Sequence, residues 1–515
     1  MKSTQVDFES TNSFGTLFKD YINAKPELKD FYSYPPSINS FKNYLEDYKN
    51  LDRVNLQKEL RKQHNGLVLS DKQKENLTLI NDQKTFTVTT GHQLNIFAGP
   101  LFFVYKILST IRTCASLTIE YPGYNFVPIF WMATEDHDFE EINYFNLDGE
   151  KHTWDTNQNG PVGRFSSNEL EQFTSMLPNT KSLFSAYNSE NTLAEATRKI
   201  VHELFNELGL LILDGDSAYF KCEFKEIIKK EILDCETQNL VENTTKKLEN
   251  LGYKGQVYPR EINLFYLSNQ SRERLVKTEL GYKTLNGAHH WTKQEIIKEV
   301  DTNPENFSPN VILRPIYQQV ILPNLSYIGG PGEIAYWLQL KEVFNRYQVT
   351  FPIIQPRNFA LILNKYTQKK IRKFKIPKEV LFSSWVEWKK NYLSSKFVEY
   401  SLKEEINQVN QILNKLEKNL CIIDLSLKRT LEAQKTKINK NLTRLEAKAR
   451  SGQERKHKEK LEELRRVRAF VFPNNSPQER TLSFINLLEN DRGIIKNLYQ
   501  ELNPFSNKFY ILEDE

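Results

Sequence analysis

The spacing of apolar residues along the chain predicts a group of helices followed by alternating strands and helices. Up to about residue 80, apolar positions recur at helical spacing, around Phe41 to Tyr48 and Val54 to Leu60. A β-branched strand follows at Thr85 to Thr90, then a helix at Pro100 to Ser116 and a buried strand at Phe126 to Met132. This order predicts a βαβ unit preceded by a layer of packing helices.

The stretch from about 150 to 290 is more polar and predicts an inserted connecting region. We expect helices near Asn191 to Leu208 and Ser217 to Glu249, with a short strand at Leu210 to Leu213 between them. Later strands are predicted at Val311 to Leu313, Val320 to Ile328 and Phe351 to Gln355, the last after a helix at Glu333 to Tyr347. The pattern predicts an α/β fold whose doubly wound parallel sheet is assembled from two separated halves of the chain.

Beyond Pro377 the periodicity changes. Apolar residues are now spaced alternately by four and three, as in a heptad repeat, at Leu402, Ile406, Val409, Leu413, Leu416, Leu420, Ile423 and Leu427. The alternation fails near Asp424, a residue type that favours helix N-caps, so we predict a hairpin turn at Ile422 to Asp424 and a second helix toward Arg468. The C-terminal part is therefore predicted to be an antiparallel α-helical coiled coil.

These patterns divide the chain into five predicted regions. The N-terminal helices and the first half of the core occupy 1–150, the inserted α+β region 151–290 and the second half of the core 291–385. The coiled coil occupies 386–475, and residues 476–515 are expected to pack back on the core. A chain of 515 residues is long enough for about two to four domains.

Charge and composition narrow the class of protein. The net charge of +5 is small for this length, and the basic residues concentrate at 425–470, with fifteen Lys or Arg and six Glu. Because no base-stacking aromatic residues are interleaved there, we expect a solvated coiled-coil flank and no nucleic-acid partner. No apolar window is long enough to span a membrane, and the N-terminus lacks a signal-peptide pattern. We expect a soluble cytoplasmic protein whose four scattered cysteines are reduced.

Unusual polar groups concentrate in three segments, each directly after a predicted strand. The segments are Thr90 to Gln93 together with Gly99 and Pro100, Thr134 to Glu141, and the loop Gly329 to Gly332 with Glu333. In open α/β sheets, ligands bind outside the carboxyl ends of the strands. The topology is therefore expected to bring the three segments to one crevice.

The acidic segment is a candidate source of catalytic groups. It holds five carboxylates and one imidazole within seven positions, at Glu135, Asp136, His137, Asp138, Glu140 and Glu141. Mutual repulsion is expected to raise some of the carboxyl pKa values and prepare a general base. The same oxygens could hold Mg²⁺, whereas zinc is disfavoured because no second histidine lies at a ligand spacing. The alternative is a helix N-terminus decorated with acids.

The glycine loop and two arginines are candidate anion ligands. Glycines with Pro331 predict a rigid bend with exposed amides, although the spacing is not that of a P-loop. Arg314 and Arg357 each follow a predicted strand and offer fork-shaped donors. The alternatives are a turn that only packs and arginines with surface or interdomain roles. His92 could contact a ligand or be a satisfied structural histidine.

Four stretches together resemble one known family: TGHQLNIFAGPLFFVYK, PIFWMATEDHDFEEIN, LRPIYQQVILPNLSYIGGPGEIAYWLQLK and FPIIQPR. The chain resembles the cysteine ligase family of bacillithiol biosynthesis, often called BshC, in order from Thr90 to Arg357. The resemblance continues in the hairpin and at Phe472 to Arg480. Ala98 and His92 depart from the family forms, in which a threonine and a glutamine are common.

The resemblance implies a Rossmann-like core, a connecting-peptide region and a coiled coil that forms a homodimer. It also implies the last step of bacillithiol assembly, in which the carboxyl group of cysteine is joined to the free amine of glucosaminyl malate. An ATP-derived acyl intermediate would activate the carboxylate, so ATP or ADP and Mg²⁺ are the candidate cofactors.

The same resemblance distributes roles over the polar segments. The candidate catalytic residues are Asp136, His137, Asp138, Glu141 and His92. The candidate substrate or nucleotide ligands are Thr90, Gly91, Gln93, Gly99, Pro100, Arg314, Tyr327, Gly329, Gly330, Gly332, Glu333 and Arg357. Two alternatives stay open: a nucleotide-binding coiled-coil scaffold without turnover, and a metal-dependent hydrolase that uses the acidic segment.

Overall fold

The computed structural model describes residues 1–47, 53–395 and 401–514, so Tyr48, at the end of one predicted helix, lies outside the described residues. The chain forms two compact units. The first comprises residues 1–9, 13–361 and 478–512, and the second comprises 10–12, 362–477 and 513–515. Residues that are distant in sequence thus complete the first unit.

A five-stranded parallel sheet lies at the centre of the first unit. Its strands are β1 (Thr85–His92), β2 (Asn125–Met132), β3 (Leu211–Asp214), β4 (Asn324–Gly329) and β5 (Ile353–Pro356), in the order β5-β4-β1-β2-β3. All four pairings are parallel, and β1 and β2 are in register from Thr85 opposite Asn125 to His92 opposite Met132. This confirms the predicted doubly wound sheet. The strand order reverses between β1 and β4, and folds of this kind bind ligands at such a reversal.

The helix Leu101–Glu120 connects β1 to β2 and packs against both strands. By length and composition alone it could cross a membrane, but 67% of its apolar window is buried inside the protein. The apolar residues of this helix are explained by its position, because a helix that covers the face of a parallel sheet is buried against the strands.

Three sequence predictions about strands are corrected. The segment predicted as a short strand of the inserted region is β3, an edge strand of the central sheet. Val311 to Leu313 forms a turn and Val320 belongs to the helix Arg314–Ile321, so the strand predicted from Val320 begins only at Asn324. Asn310 stabilises the turn, because its side chain accepts hydrogen bonds from the amides of Ile312 and Leu313.

Two predicted helices are each broken into two. Ser217 to Glu249 forms Ala218–Asp234 and Thr237–Asn250, because Cys235 takes a left-handed conformation. Glu333 to Tyr347 forms Pro331–Trp337 and Lys341–Tyr347. The other helices of the first unit are Thr16–Ile22, Ser40–Asp47, Val54–Gln63, Asp71–Leu79, Glu171–Thr174, Lys181–Phe184, Ala186–Ser189, Leu193–Phe205, Lys293–Thr302, Gln478–Thr481, Ile485–Leu488 and Ile494–Glu501.

An antiparallel sheet extends from the inserted region as far as Pro309, beyond the predicted boundary at residue 290. In spatial order its strands are His290–Trp291, Gly281–Thr284, Arg272–Thr278, Leu264–Leu267 and Phe307–Pro309. A hairpin of Tyr144–Leu147 and Glu150–Thr153 and a sheet of Lys2–Val6, Phe509–Glu513 and Phe359–Leu363 complete the strands.

The second unit contains the predicted helical hairpin, but its second helix, predicted to run toward Arg468, ends at Lys456. Lys403–Ile423 and Leu427–Lys456 run antiparallel, with Lys435 donating to Asn414 at 2.8 Å and Asn439 to Asn410 at 3.1 Å. The other helices are Lys365–Phe374, Trp385–Ser394 and Lys458–Val471. Of the predicted seam, Leu402 and Leu413 are buried, whereas Ile423 is 76% exposed.

Candidate functional site

The glycine loop after β4 is occupied by a carboxylate of its own chain. Glu333 accepts hydrogen bonds from the Gly330 amide at 2.9 Å, the Tyr327 hydroxyl at 2.5 Å and the Lys106 ammonium at 2.9 Å. Burial opposes ionisation, but Lys106 and these hydrogen bonds outweigh it and hold the pKa of Glu333 below its ordinary value. The Gly330 amide is therefore already used inside the protein.

The remaining predicted glycines and their neighbours shape the backbone. Thr90 donates to the Ile328 carbonyl at 2.9 Å and ties β1 to β4. The Gly91 carbonyl accepts from the buried Lys106 at 2.5 Å. Gly99 has φ 58°, and a Cβ there would approach Asn95 to 2.8 Å, so only glycine allows this turn before Pro100 and the long helix.

His92 is held neutral at the carboxyl end of β1. Burial and the nearby Lys106 and Arg357 charges, opposed by Glu333, lower the pKa of His92 to about 3. Its ring contacts Phe102 and Phe103, and its Nε2 is shielded from solvent without a hydrogen-bond partner among the described residues. At neutral pH this imidazole can donate or accept a hydrogen bond but cannot act as an acid.

Asp136 is the most constrained member of the acidic segment. Its carboxylate accepts from Gln93 Nε2 at 2.9 Å and the His137 amide at 2.8 Å, and it lies 3.4 Å from Arg272 Nη1. Burial raises its pKa, but Arg272 and the two hydrogen bonds outweigh burial and keep the pKa below its ordinary value. The prediction that crowding raises carboxyl pKa values in this segment is wrong for Asp136. Burial instead raises the pKa of Asp214, at the end of β3, to about 6.

The other acids of the segment separate. Glu135 pairs with the fully buried Lys221, whereas Asp138, Glu140 and Glu141 are exposed. Within the described ranges, no three His, Cys, Asp or Glu side chains lie together as a metal-binding group. The carboxylates that the sequence places together are therefore divided between ion pairs and solvent.

A cavity of 410 Å³ lies beside Asp136, and we call it the arginine cavity. Its lining comprises Ala133, Glu135, Asp136, Tyr258, Arg260, Ile262, Leu264, Phe265, Arg272, Arg274, Pro309, Asn310, Val311 and Arg314. Four guanidinium groups thus face two carboxylates, one of which is already neutralised by Lys221. The surplus positive charge suits an anionic ligand.

Arg272 is fixed in this cavity by contacts on several sides. Its guanidinium donates to the Pro309 carbonyl at 3.0 Å and the Ser308 hydroxyl at 3.2 Å, and lies 4.1 Å over the Phe265 ring. His137 Nδ1 is 3.1 Å from Arg272 Nη1. Its Nε, Nη1 and Nη2 atoms all have partners within the protein, so Arg272 contributes a fixed positive charge to the cavity.

The two predicted arginines have different environments. Arg314 lines the arginine cavity, donates to Gln318 at 3.0 Å and has a buried Nη2 without a partner among the described residues. Arg357 instead forms a buried ion pair with Glu479, at 2.7 and 3.1 Å, and does not line the arginine cavity. Of the two, only Arg314 lines the arginine cavity.

A second cavity of 530 Å³, the acidic groove, lies at the carboxyl end of β1. It is lined by His92, Gln93, Asn95, Pro100, Phe102, Asp138, Glu140, Glu141, Tyr144, Asn146, Arg480, Thr481 and Ser483. Gln93 lines the groove and donates to Asp136, which lines the arginine cavity. One hydrogen bond therefore links a cationic cavity to an acidic one.

Comparison with known proteins shows which family the chain belongs to. A family model described as the N-terminal Rossmann-like domain of BshC, of bacillithiol biosynthesis, matches residues 1–358, and one for its C-terminal coiled-coil domain matches 360–513. The chain belongs to the BshC family. Relatives named "Putative cysteine ligase BshC" include one from Flavobacterium psychrophilum, 41% identical over the whole of both chains. Another, from Flavobacterium johnsoniae, is 39% identical over 99% of this chain and all of its own, and one from Bacillus cereus is 26% identical over 90% and 91%.

Sequence reasoning missed several residues of the candidate site. Lys106 lies inside the first resembling stretch, and an isolated lysine in an apolar helix was the signal for a buried ion pair. Arg260, Arg272 and Arg274 lie in the inserted region, where neither a motif nor a periodicity distinguishes them from surface arginines.

Proposed function

We propose that this chain joins the carboxyl group of cysteine to the amine of glucosaminyl malate, forming an amide bond in the last step of bacillithiol assembly. Family membership and the names of the relatives support the class of reaction. The arginine cavity is the observation that supports this choice of substrate. Malate has two carboxylates, and Arg272 and Arg314 each bring a guanidinium group to the cavity.

In this proposal Asp136 is a positioning group. Its lowered pKa keeps it ionised at neutral pH, so it holds Arg272 against the cavity and is a weak proton acceptor. The proton of the attacking ammonium passes instead to an exposed carboxylate of the acidic groove, Asp138 or Glu141. Neutral His92 and Gln93 orient the reacting groups by hydrogen bonding.

A free carboxylate does not form an amide without activation, and we propose that ATP supplies it. The glycine loop is a poor phosphate site because Glu333 already occupies the Gly330 amide. The described residues also lack a ready metal-binding group, so Mg²⁺ would enter as the partner of the nucleotide. We further propose a cytoplasmic homodimer joined through the coiled coil, supported by exposed apolar residues on the hairpin, among them Leu416 and Ile423.

The direct test is mass-spectrometric detection of bacillithiol after incubating the full chain with glucosaminyl malate and cysteine. We expect product only when ATP and Mg²⁺ are both present. Product without ATP would remove the ATP link and require another activated donor. No product under any condition, with nucleotide still bound, would favour a nucleotide-binding scaffold over a ligase.

A further inference from the structure

One side of the arginine cavity is formed by a short segment without regular secondary structure, Gln256 to Arg260, which we call the cavity segment. Its Tyr258 and Arg260 side chains line the cavity. Tyr258 is 74% exposed, and Arg260 is also exposed. A segment without helix or sheet hydrogen bonds needs other contacts to hold such side chains in place.

The first of these contacts is the side chain of Gln339, which is completely buried. Its Oε1 accepts from the amides of Gln256 at 2.8 Å and Val257 at 3.0 Å. Its Nε2 donates to the Val257 carbonyl at 3.0 Å and the Thr245 hydroxyl at 2.6 Å. A glutamine amide has two acceptor sites and two donor hydrogens, so this side chain uses its full hydrogen-bonding capacity, three parts of it on the cavity segment.

The other end of the cavity segment is held by Asn263. The Arg260 amide donates to Asn263 Oδ1 at 3.0 Å, and Asn263 Nδ2 donates to the Arg260 carbonyl at 2.9 Å. Asn263 is itself held by the buried carboxylate of Glu231, which accepts from its amide and its side chain at 2.8 Å each. Two buried polar side chains thus fix both ends of the segment, while Tyr258 between them faces solvent and the cavity.

We propose that the cavity segment recognises the acceptor substrate and that Gln339 is the positioning residue that holds it in place. This inference rests on the proposed function. Arg260 adds a guanidinium to those of Arg272 and Arg274 for the acidic end of the acceptor. Tyr258 offers an aromatic face at the same cavity to the C–H face of a sugar ring. These two groups match the two ends of the acceptor in the proposed function, a sugar joined to a dicarboxylic acid.

Titration calorimetry with glucosaminyl malate tests the positioning role without requiring turnover. Gln339→Met keeps the length of the side chain but removes all four hydrogen bonds, and we expect about tenfold weaker binding. In steady-state assays KM for glucosaminyl malate should rise about tenfold with kcat little changed, because the chemistry occurs away from the segment. Unchanged affinity in folded Gln339→Met protein would overturn the inference.

Two exposed residues test recognition independently of buried packing. Tyr258→Ala should weaken binding of glucosaminyl malate while leaving binding of L-malate alone unchanged. Arg260→Ala should weaken binding of both ligands. Lys254→Ala, exposed just before the segment and absent from the cavity lining, is the matched control and should bind both ligands as the wild type does. Equal affinities in the Tyr258, Arg260 and Lys254 variants would overturn the inference even if Gln339→Met failed to fold.

The binding and product measurements separate this inference from the proposed function. If bacillithiol forms but the Gln339, Tyr258 and Arg260 variants bind the acceptor normally, the ligase function stands and the cavity segment has no recognition role. If no bacillithiol forms but acceptor affinity falls in these variants and not in Lys254→Ala, the recognition role stands and the ligase function fails.

Discussion

The glycine loop and the arginine cavity both hold charged side chains, but they differ in how those charges are paired. At the glycine loop, Glu333 is bound by Lys106, Tyr327 and the Gly330 amide, so no charge is left for a ligand. In the arginine cavity, four guanidinium groups face two carboxylates, and Arg314 keeps an unpartnered Nη2. From this difference we expect the ligand at the arginine cavity and not at the glycine loop.

The charge of Arg357 is paired inside the protein with Glu479, and replacing this arginine should have the largest effect on stability. Arg357→Met leaves the buried Glu479 carboxylate unpaired, which should lower the free energy of unfolding by about 3–5 kcal/mol. Denaturant unfolding measures this loss. The double variant Arg357→Met/Glu479→Gln should recover part of it, and the surface variant Arg164→Met should lose less than about 1 kcal/mol. If Arg357→Met lowered the free energy of unfolding by less than about 1 kcal/mol, the buried ion pair would not contribute as we expect.

His92 should make stability depend on pH. Its folded-state pKa of about 3 lies below the ordinary value of 6.5, so the unfolded chain binds a proton first as the pH falls. The stability contributed by neutral His92 is complete above about pH 6.5 and is lost progressively toward pH 3. Relative to pH 8, the wild type should lose about 2 kcal/mol more than His92→Gln at pH 5.

Denaturant unfolding at both pH values gives the comparison for His92. His64, whose pKa burial lowers to about 4, contributes to both proteins and cancels. The exposed His290→Gln variant is the control and should keep the wild-type pH dependence. Parallel pH profiles for wild type and His92→Gln would show that His92 is not held neutral by its surroundings.

Arg272 lines the arginine cavity, so its replacement should affect activity. Arg272→Lys keeps the charge beside Asp136 but loses the planar fork, so kcat/KM for glucosaminyl malate should fall about tenfold, equivalent to about 1.4 kcal/mol. Lysine also loses the contacts of Arg272 with Ser308, Pro309 and Phe265, so the melting temperature should fall, and activity is compared at a temperature at which both proteins are folded. Arg61→Lys, at an exposed site on Val54–Gln63, is the control and should retain full activity. Full activity in Arg272→Lys would show that the arginine cavity does not bind the acceptor.

Two alanine substitutions in the glycine loop should have the smallest effects. A Cβ at Gly329 would lie 3.1 Å from Glu333 Cβ and 3.3 Å from the Tyr327 ring, so Gly329→Ala should destabilise the protein by about 1 kcal/mol. At Gly332 the nearest atom is 3.9 Å away, so Gly332→Ala should stay within about 0.5 kcal/mol of the wild type. Thermal unfolding and product formation check both. A large loss of activity in stable Gly332→Ala protein would indicate that the ligand binds at the glycine loop.

The strands and helices were largely predictable because their signals are local. β1 and β2 consist of continuous apolar and β-branched runs, as strands of a parallel sheet require, and the helical hairpin follows from its heptad spacing. The prediction failed at Val311 to Leu313, which looks like a strand from its apolar residues but forms a turn held by the Asn310 side chain. Short apolar runs do not distinguish the two periodicities.

The candidate site was predictable only in outline. The sequence by itself determined which residues follow the first two strands, so Gln93 and Asp136 could be placed at one edge of the sheet. Arg314 was expected there too, but it begins a helix after a turn and follows no strand. Only the tertiary structure decided which charges are paired, because Lys106 and Glu333 are 227 residues apart and Arg357 and Glu479 are 122 apart. The spacing of residues within a strand or helix depends on local backbone geometry, whereas an ion pair depends on which distant side chains the folded chain brings within a few ångströms.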